Sequence, residues 1–140
     1  MAACEPFDPG NRSGALVWIW ICGPFASDGA NEAARRANLR ALNLAAYEVF
    51  QLAHVPLIGA NMALPVIQAA GLDERGYEIR RPLSLALMQK CDACLRIGGA
   101  SKGADEETAW FSSQGLPAFF SLEEIPRGAE SGAPLNSPAA

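Results

Sequence analysis

Three consecutive carboxylates, Asp105, Glu106 and Glu107, follow a glycine-rich segment over residues 98–103. The dipole of a helix favours acidic residues in its first turn, and this explains Asp105 and Glu106. Glu107 lies one turn into the helix and shares a helix face with Gly103, Ala104 and Phe111. A carboxylate in that place can act as a nucleophile or general base at a sugar carbon. Dipole complementation is the alternative explanation for Glu107 as well.

Two glycine-rich loops, residues 22–25 and 98–103, are the other feature of the sequence with a composition suited to ligand binding. Each follows an apolar run and leads toward a helical stretch. Such a turn leaves backbone N–H groups free, and the dipole of the following helix favours an anion there. Neither loop has the spacing of a Walker or dinucleotide-binding motif. Ordinary turn chemistry is the simpler explanation of either loop taken alone.

Strands and helices must alternate along the chain to position these groups. Apolar runs predict four strands, over residues 15–22, 54–58, 92–97 and 117–121. Apolar periodicity and end signals predict four helices, over residues 31–53, 61–70, 81–90 and 104–114. Asn61 is the expected N-cap of the second helix, and Pro82 is expected in the first turn of the third.

This alternation is typical of a parallel α/β sheet. Right-handed crossovers bring the carboxyl ends of parallel strands to one edge of the sheet, and ligands bind outside that edge. Both glycine-rich loops leave the sheet there. The sequence therefore predicts a ligand site between these two loops.

Length, composition and charge limit the remaining possibilities. The 140 residues fit one domain, and with 50% apolar residues the chain can bury a core. Segments rich in small residues and proline predict flexible tails at 1–13 and 127–140, on either side of a domain over 14–126. A net charge of −4 argues against polymeric nucleic acid as a partner. Because the longest apolar run is too short to span a bilayer and no signal peptide is evident, no membrane partner and a cytoplasmic location are predicted.

The cysteines stand at positions 4, 22, 91 and 94. Cys91 and Cys94 have the C-x-x-C spacing of some metal and redox sites. The chain has one histidine and no second cysteine pair near this one. We therefore expect reduced, packed cysteines and neither a metal nor a cofactor.

Several motifs follow one another along the chain. It has an apolar strand ending in Cys-Gly-Pro-Phe, a long helix, His54-Val-Pro and Asn61-Met-Ala-Leu-Pro. The most specific part is Cys91-Asp-Ala-Cys-Leu-Arg-Ile-Gly-Gly, followed by Ser101-x-Gly103-x-x-x-Glu107 and a later Gly-Leu-Pro before a strand. Together these motifs resemble the nucleoside 2-deoxyribosyltransferase-like family, which includes the deoxyribonucleoside 5′-monophosphate N-glycosidases. The resemblance covers residues 15–126.

The resemblance implies a flavodoxin-like three-layer sandwich with a parallel sheet of four to five strands, and usually a homodimer. It implies N-glycosidic bond cleavage or transfer on a nucleoside or nucleoside 5′-monophosphate, by an N-glycosidase or a deoxyribosyltransferase. Glu107 matches the catalytic glutamate. The predicted substrate-binding residues are Gly23, Pro24 and Phe25 in the first loop, Asn61, Ser84, and the turn residues Ser101 and Gly103. In the family, the turn that Ser101 and Gly103 match meets the sugar or the 5′-phosphate.

Three positions depart from the family pattern. Trp20 stands where relatives often have a tyrosine that helps to fix the glutamate, Gly59 where some have a histidine, and Ser84 where they have an aspartate. A serine cannot act as a carboxylic acid toward a leaving base, and an indole has an N–H but no ionisable hydroxyl. A nucleotide-binding module with a degenerate active site is therefore the alternative function.

Other polar and aromatic residues allow two interpretations each. Arg80 and Arg81 can neutralise a phosphate near Ser84, or they are ordinary exposed arginines. His54 stands at the start of a strand, where a structural role is expected. The tryptophans can stack on a base, although aromatic residues in such positions more often belong to the core; they are Trp18, Trp20 and Trp110.

Overall fold

The computed structural model describes residues 16–26, 29–73 and 76–128. Within these ranges the chain forms four strands: β1 (Trp18–Cys22), β2 (Val55–Leu57), β3 (Ala93–Arg96) and β4 (Ala118–Phe119). It also forms four α-helices: α1 (Glu32–Gln51), α2 (Gly59–Ala69), α3 (Tyr77–Met88) and α4 (Lys102–Ser113). A single 3₁₀ turn, Leu122–Glu124, follows β4 within the described residues. The predicted tail over 1–13, Cys4 and most of the predicted tail over 127–140 lie outside the described residues.

The strands form one parallel sheet in the order β2-β1-β3-β4. The register pairs Trp20 with Leu57 of β2 and with Cys94 of β3. Parallel neighbours need crossover connections, and the helices supply them. This order, with β1 between β2 and β3, is that of flavodoxin-like folds. The predicted flavodoxin-like α/β sandwich is confirmed, with four strands in the described part of the chain.

Successive residues of β1 point to opposite faces of the sheet. Ile19 and Ile21 pack on one face against Leu42 and Val49 of α1. We call this the α1 face. Trp20 and Cys22 pack on the other face, which we call the α3–α4 face, in a second cluster that includes Met88 of α3 and Phe111 of α4. The two faces give the molecule its three layers.

The starts of two helices differ from the predictions. The helix predicted from Asn61 begins at Gly59, and Ile58 at its N-cap provides no side-chain hydrogen bond. Asn61 is not the cap, because its side-chain amide donates to Asn43 Oδ1 of α1 at 2.7 Å. The helix predicted from Arg81 and Pro82 begins at Tyr77, so Pro82 lies in its second turn.

A contact between two residues one helical turn apart, Tyr77 and Arg81, accompanies the earlier start of α3. The Gly76 carbonyl accepts hydrogen bonds from the N–H groups of Ile79 and Arg80, which closes the first turn. The Arg81 guanidinium lies 5.9 Å from the centroid of the Tyr77 ring, a cation–π contact within the helix. The sequence rule for proline does not foresee helical residues ahead of Pro82.

His54 joins the start of β1 to the segment after the 3₁₀ turn. Its Nδ1 accepts from the Val17 N–H at 3.2 Å, so the neutral ring carries its proton on Nε2, which lies 2.6 Å from the Pro126 carbonyl oxygen. Next to it, the Gly128 N–H donates to the Leu52 carbonyl at 2.7 Å. His54 therefore has a structural role.

Among the described residues, no helix has the length and apolar character needed to cross a membrane.

Candidate active site

A cavity of about 430 Å³ opens at the carboxyl end of β1, between α3 and the N-terminal end of α4. The first loop and the start of α2 complete its walls. The structure brings six of the predicted site residues together in its lining: Gly23, Phe25, Ser84, Ser101, Gly103 and Glu107. The site thus lies at the edge of the sheet where parallel α/β proteins bind ligands.

Glu107 lies on α4, where its carboxylate reaches Trp20 on β1. The indole Nε1–H of Trp20 donates to Glu107 Oε2 at 2.6 Å. The Trp20 residue is only 2% exposed, so the ring is held by packing. Because an indole N–H does not ionise in the physiological range, this donor is present at every working pH. Trp20 therefore fixes one carboxylate oxygen of Glu107.

Burial raises the pKa of Glu107 above the ordinary value of a glutamate, because desolvation penalises the charged form. The hydrogen bond from Trp20 and the positive charges of Arg81, Arg80 and Arg96 lower the pKa, but together they do not offset burial. A carboxylate with a raised pKa in a cleft is a typical feature of catalytic sites.

The N-terminal end of α4 forms one wall of the cavity. Ser101 is the N-cap of this helix, since its Oγ accepts from the Ala104 N–H at 3.2 Å. The helix thus begins at Lys102, earlier than the predicted start at residue 104. Lys102 and Gly103 also line the cavity. The positive end of the α4 dipole and the Lys102 ammonium both favour an anionic ligand group here.

Arg96 holds the glycine-rich turn before α4, a role that the sequence analysis did not assign. Its Nε donates to Asp105 Oδ1 at 3.1 Å, and its NH2 donates to the Gly99 carbonyl at 2.8 Å. A further bond runs from NH1 to the Ile97 carbonyl. The Arg96 guanidinium therefore connects the end of β3 both to the glycine-rich loop and to the first helical turn of α4. An arginine at the end of an apolar strand, beside a glycine-rich loop, was the available signal.

The opposite wall comes from α3 and carries two positive charges. The Arg80 guanidinium lies 5.7 Å from the centroid of the Phe25 ring in the first loop. Arg80, Arg81, Ser84 and Tyr77 all line the cavity. Neither guanidinium forms a salt bridge with a carboxylate of the described residues. The cavity therefore has cationic groups on both walls around Glu107.

Of the three departures from the family pattern, Gly59 lies against both of the others, Trp20 and Ser84. A Cβ atom placed on Gly59 would lie 2.5 Å from Ser84 Oγ and 2.9 Å from Trp20 Cη2. Real Cβ atoms do not come this close, so the indole and the serine occupy the space that a side chain at position 59 would need. We call these residues the Trp20–Gly59–Ser84 cluster.

Two predicted site residues do not line the cavity, Pro24 and Asn61. Pro24 packs against the other glycine-rich loop, where a Cβ on Gly98 would lie 2.8 Å from Pro24 Cδ. Gly98 also has a φ of 78°, a conformation that favours glycine. Pro24 therefore packs the two loops together, and Asn61 joins α2 to α1 through Asn43.

The described cysteines, Cys22, Cys91 and Cys94, are free and buried. Burial, together with Asp92 and Cys94, raises the pKa of Cys91 to about 12. A hydrogen bond with Cys94, and then burial, raise the pKa of Cys22 well above the ordinary value. Thiols in this state are poor nucleophiles and metal ligands. Among the described residues, no group of three or more His, Cys, Asp or Glu side chains is arranged to hold a metal ion.

Comparison with known protein families and with curated proteins finds no match to this chain. The family resemblance therefore stays a prediction. The fold and the cavity define a flavodoxin-like α/β protein with a buried carboxylate at the carboxyl ends of its strands.

Proposed function

We propose that the protein cleaves or transfers the N-glycosidic bond of a nucleoside or nucleoside 5′-monophosphate. The observation that carries this proposal is Glu107, a desolvated carboxylate held by Trp20 inside a cavity of about 430 Å³. Small-molecule sites typically enclose about 300–1,000 Å³, and a nucleotide fits such a space. The spacing Ser101-x-Gly103-x-x-x-Glu107 supports the same reaction.

Glu107 acts at the anomeric carbon of the sugar. When the bond between that carbon and the base breaks, positive charge develops on the carbon and the ring oxygen, and a carboxylate stabilises this charge or attacks the carbon. Trp20 donates to Oε2, which leaves Oε1 as the carboxylate oxygen available to the sugar. Burial has removed solvating water from this carboxylate, which strengthens its interaction with the developing charge.

Charge on both walls orients the rest of the substrate. The N-terminal end of α4, with Ser101 and Gly103, binds the sugar or the 5′-phosphate. Arg80 and Arg81 add positive charge from α3 and favour a monophosphate over an uncharged nucleoside. Water or a second base then accepts the sugar, which makes the protein a hydrolase or a transferase.

The proposal is tested by incubating the protein with a panel of ribo- and deoxyribonucleosides and their 5′-monophosphates. Chromatography then detects any free base. The test variant is Glu107→Gln, and the matched control is Glu48→Gln, which changes an exposed glutamate on α1. We expect base release from the wild type and the control, and a loss of about 10³-fold or more in Glu107→Gln. Equal base release by Glu107→Gln and the wild type would refute the proposed role of Glu107.

A nucleotide-binding module without turnover is the second candidate, and Ser84 favours it. Ser84 lines the cavity but cannot protonate a leaving base, and the only carboxylates in the described lining are Glu106 and Glu107. The two functions separate in a thermal unfolding assay run beside the chromatography. A bound nucleotide at 100 times its Kd stabilises the folded state by about 2.7 kcal/mol. Stabilisation with no free base supports the module.

A further inference from the structure

Gly59 is the first residue of α2 and lies in the lining of the cavity, where two side chains occupy the space beside its Cα. Gly59 is buried, and any Cβ at this position would overlap Ser84 Oγ and Trp20 Cη2 at 2.5 Å and 2.9 Å. Ser84 Cβ is the next nearest atom, at 3.2 Å. The smallest possible side chain therefore requires a neighbour to move.

The two neighbours differ in their freedom to move. The Ser84 hydroxyl is the end of a short side chain and can rotate about a single χ1 torsion to another rotamer. The Trp20 indole cannot rotate in this way, because it is 2% exposed and packs among Met88, Cys94 and Phe111. The overlap with Trp20 is therefore the one that cannot be relieved locally.

The indole is a rigid bicyclic ring, so its two ends move together. Cη2 lies at the end that faces Gly59, and Nε1 lies on the five-membered ring that donates to Glu107. A displacement at Cη2 turns or shifts Nε1 as well. The bond to Glu107 Oε2 is 2.6 Å long, and hydrogen bonds weaken steeply when length and angle change.

We propose that Gly59 is a positioning residue of the active site. Because Gly59 has no side chain, the Trp20 indole can occupy the adjacent space, and this position of the ring directs the Trp20 N–H to the carboxylate of Glu107. The effect on catalysis rests on the proposed function, whereas the effect on the carboxylate does not.

The consequence for Glu107 has a defined direction. The hydrogen bond from Trp20 stabilises the ionised carboxylate and lowers its pKa against the effect of burial. When that bond is lost, the pKa of Glu107 rises further. An ordinary packing defect at position 59 would lower stability without this change.

The test is a pH titration of the Glu107 carboxyl by NMR in the full chain, which requires no substrate. Gly59→Ala introduces the Cβ, and Trp20→Phe removes the N–H while keeping an aromatic ring. We expect both variants to move the Glu107 titration midpoint upward. The double variant is expected to show no further movement beyond Trp20→Phe, because the two changes act on one hydrogen bond. Glu48→Gln, at an exposed position on α1, is the control and should leave the midpoint in place.

Ser84→Ala separates the two contacts of Gly59. It removes the hydroxyl that an alanine at position 59 would meet at 2.5 Å. In the Gly59→Ala background we expect the upward movement of the midpoint to persist. Return of the midpoint to the wild-type position would show that Ser84 transmits the effect, and would overturn the role of Trp20.

A folding defect in Gly59→Ala does not leave the proposal untested. If Gly59→Ala unfolds, the smaller ring of phenylalanine in the double variant is expected to restore folding and raise the Tm. A double variant that also fails to fold would overturn the proposal. If Gly59→Ala folds and its midpoint stays in place while that of Trp20→Phe moves, the proposal is overturned as well.

The effect on catalysis is measured with a substrate from the panel. We expect the kcat of Gly59→Ala to fall about 10²-fold below that of the wild type, with little change in KM. A moved midpoint with no base release from the wild type would refute the proposed function alone.

Discussion

On the α1 face, Ile19 of β1 packs in a cluster of apolar side chains, whereas on the α3–α4 face Trp20 and Cys22 line a cavity with a buried carboxylate. The two faces share the same strands and differ in the side chains that the helices contribute. α1 contributes Val49 to the apolar cluster, while α4 contributes Glu107 to the cavity together with apolar residues. The α1 face therefore contributes mainly to stability.

On the α3–α4 face, the buried carboxyl group of Glu107 lowers the stability of the folded state when it is ionised. Because burial raises the pKa of Glu107, the folded state favours the protonated form of this carboxyl group more than the unfolded state does. On the α1 face, Ile19, Val49 and Leu95 belong to one buried apolar cluster. Truncation of an apolar side chain there should lower stability, whereas replacement of Glu107 should raise it toward neutral pH, and this contrast can be measured.

Leu95→Ala on the α1 face is expected to have the largest effect. Leu95 lies on β3 with 0% exposure, and truncation removes its apolar contacts and leaves a cavity. We expect the free energy of unfolding in urea to fall by about 3 kcal/mol or more. Leu44→Ala is the control, since Leu44 is 53% exposed on α1 and should change little. A loss below about 1 kcal/mol would mean that the α1 face is not the stabilising core.

Ser101→Ala is expected to have an intermediate effect, at the wall of the cavity. The variant removes the oxygen that accepts from the Ala104 N–H and caps α4. Loss of an N-cap typically lowers stability by about 1 kcal/mol, which denaturant unfolding resolves. Ser113→Ala removes an exposed hydroxyl at the other end of the same helix and is the matched control. Equal losses of stability in both variants would show that the N-cap hydrogen bond of Ser101 contributes no more than an exposed hydroxyl on the same helix.

Glu107→Gln is expected to have the smallest effect on stability, and in the opposite direction. Since burial raises the pKa of Glu107, the folded protein keeps a proton that the unfolded chain has already released. Stability therefore falls as pH rises from the ordinary glutamate range through the raised pKa of Glu107. Glutamine avoids this loss, and its carbonyl can still accept from Trp20.

The Tm difference between Glu107→Gln and the wild type should accordingly be small at acidic pH and grow in favour of the variant toward neutral pH. Calorimetric scans across this range measure it. A variant that is less stable than the wild type by the same margin at every pH would contradict the contrast between the two faces.

The sequence was sufficient to predict the sheet, because the apolar run over residues 15–22 and its alternation with helical stretches are local features. Helix starts were less accurate. Pro82 suggested a first turn, while the contact of Arg81 with Tyr77 accompanies a helix that begins earlier. A side-chain contact across a turn cannot be derived from the proline rule alone.

For the site, the sequence predicted that Glu107 and the two loops come together, since parallel strands bring their carboxyl ends to one edge of the sheet. The family resemblance placed Trp20 at the position that fixes the glutamate, but the sequence did not show that the indole N–H reaches Glu107, because that bond depends on where α4 begins and which face of β1 the helix covers. It also did not foresee that Ser84 and Trp20 both pack against Gly59, which are contacts between residues far apart in the chain.

The proposed role of Glu107 is tested most sharply by a single-turnover measurement of base release across pH, with the best substrate of the panel, for the wild type and Glu107→Gln. We expect release by the wild type to decline on the acid side, with a midpoint above the ordinary glutamate pKa because burial raises the pKa of Glu107. We expect negligible release by Glu107→Gln at every pH. Release by Glu107→Gln at the wild-type rate would refute the role of Glu107.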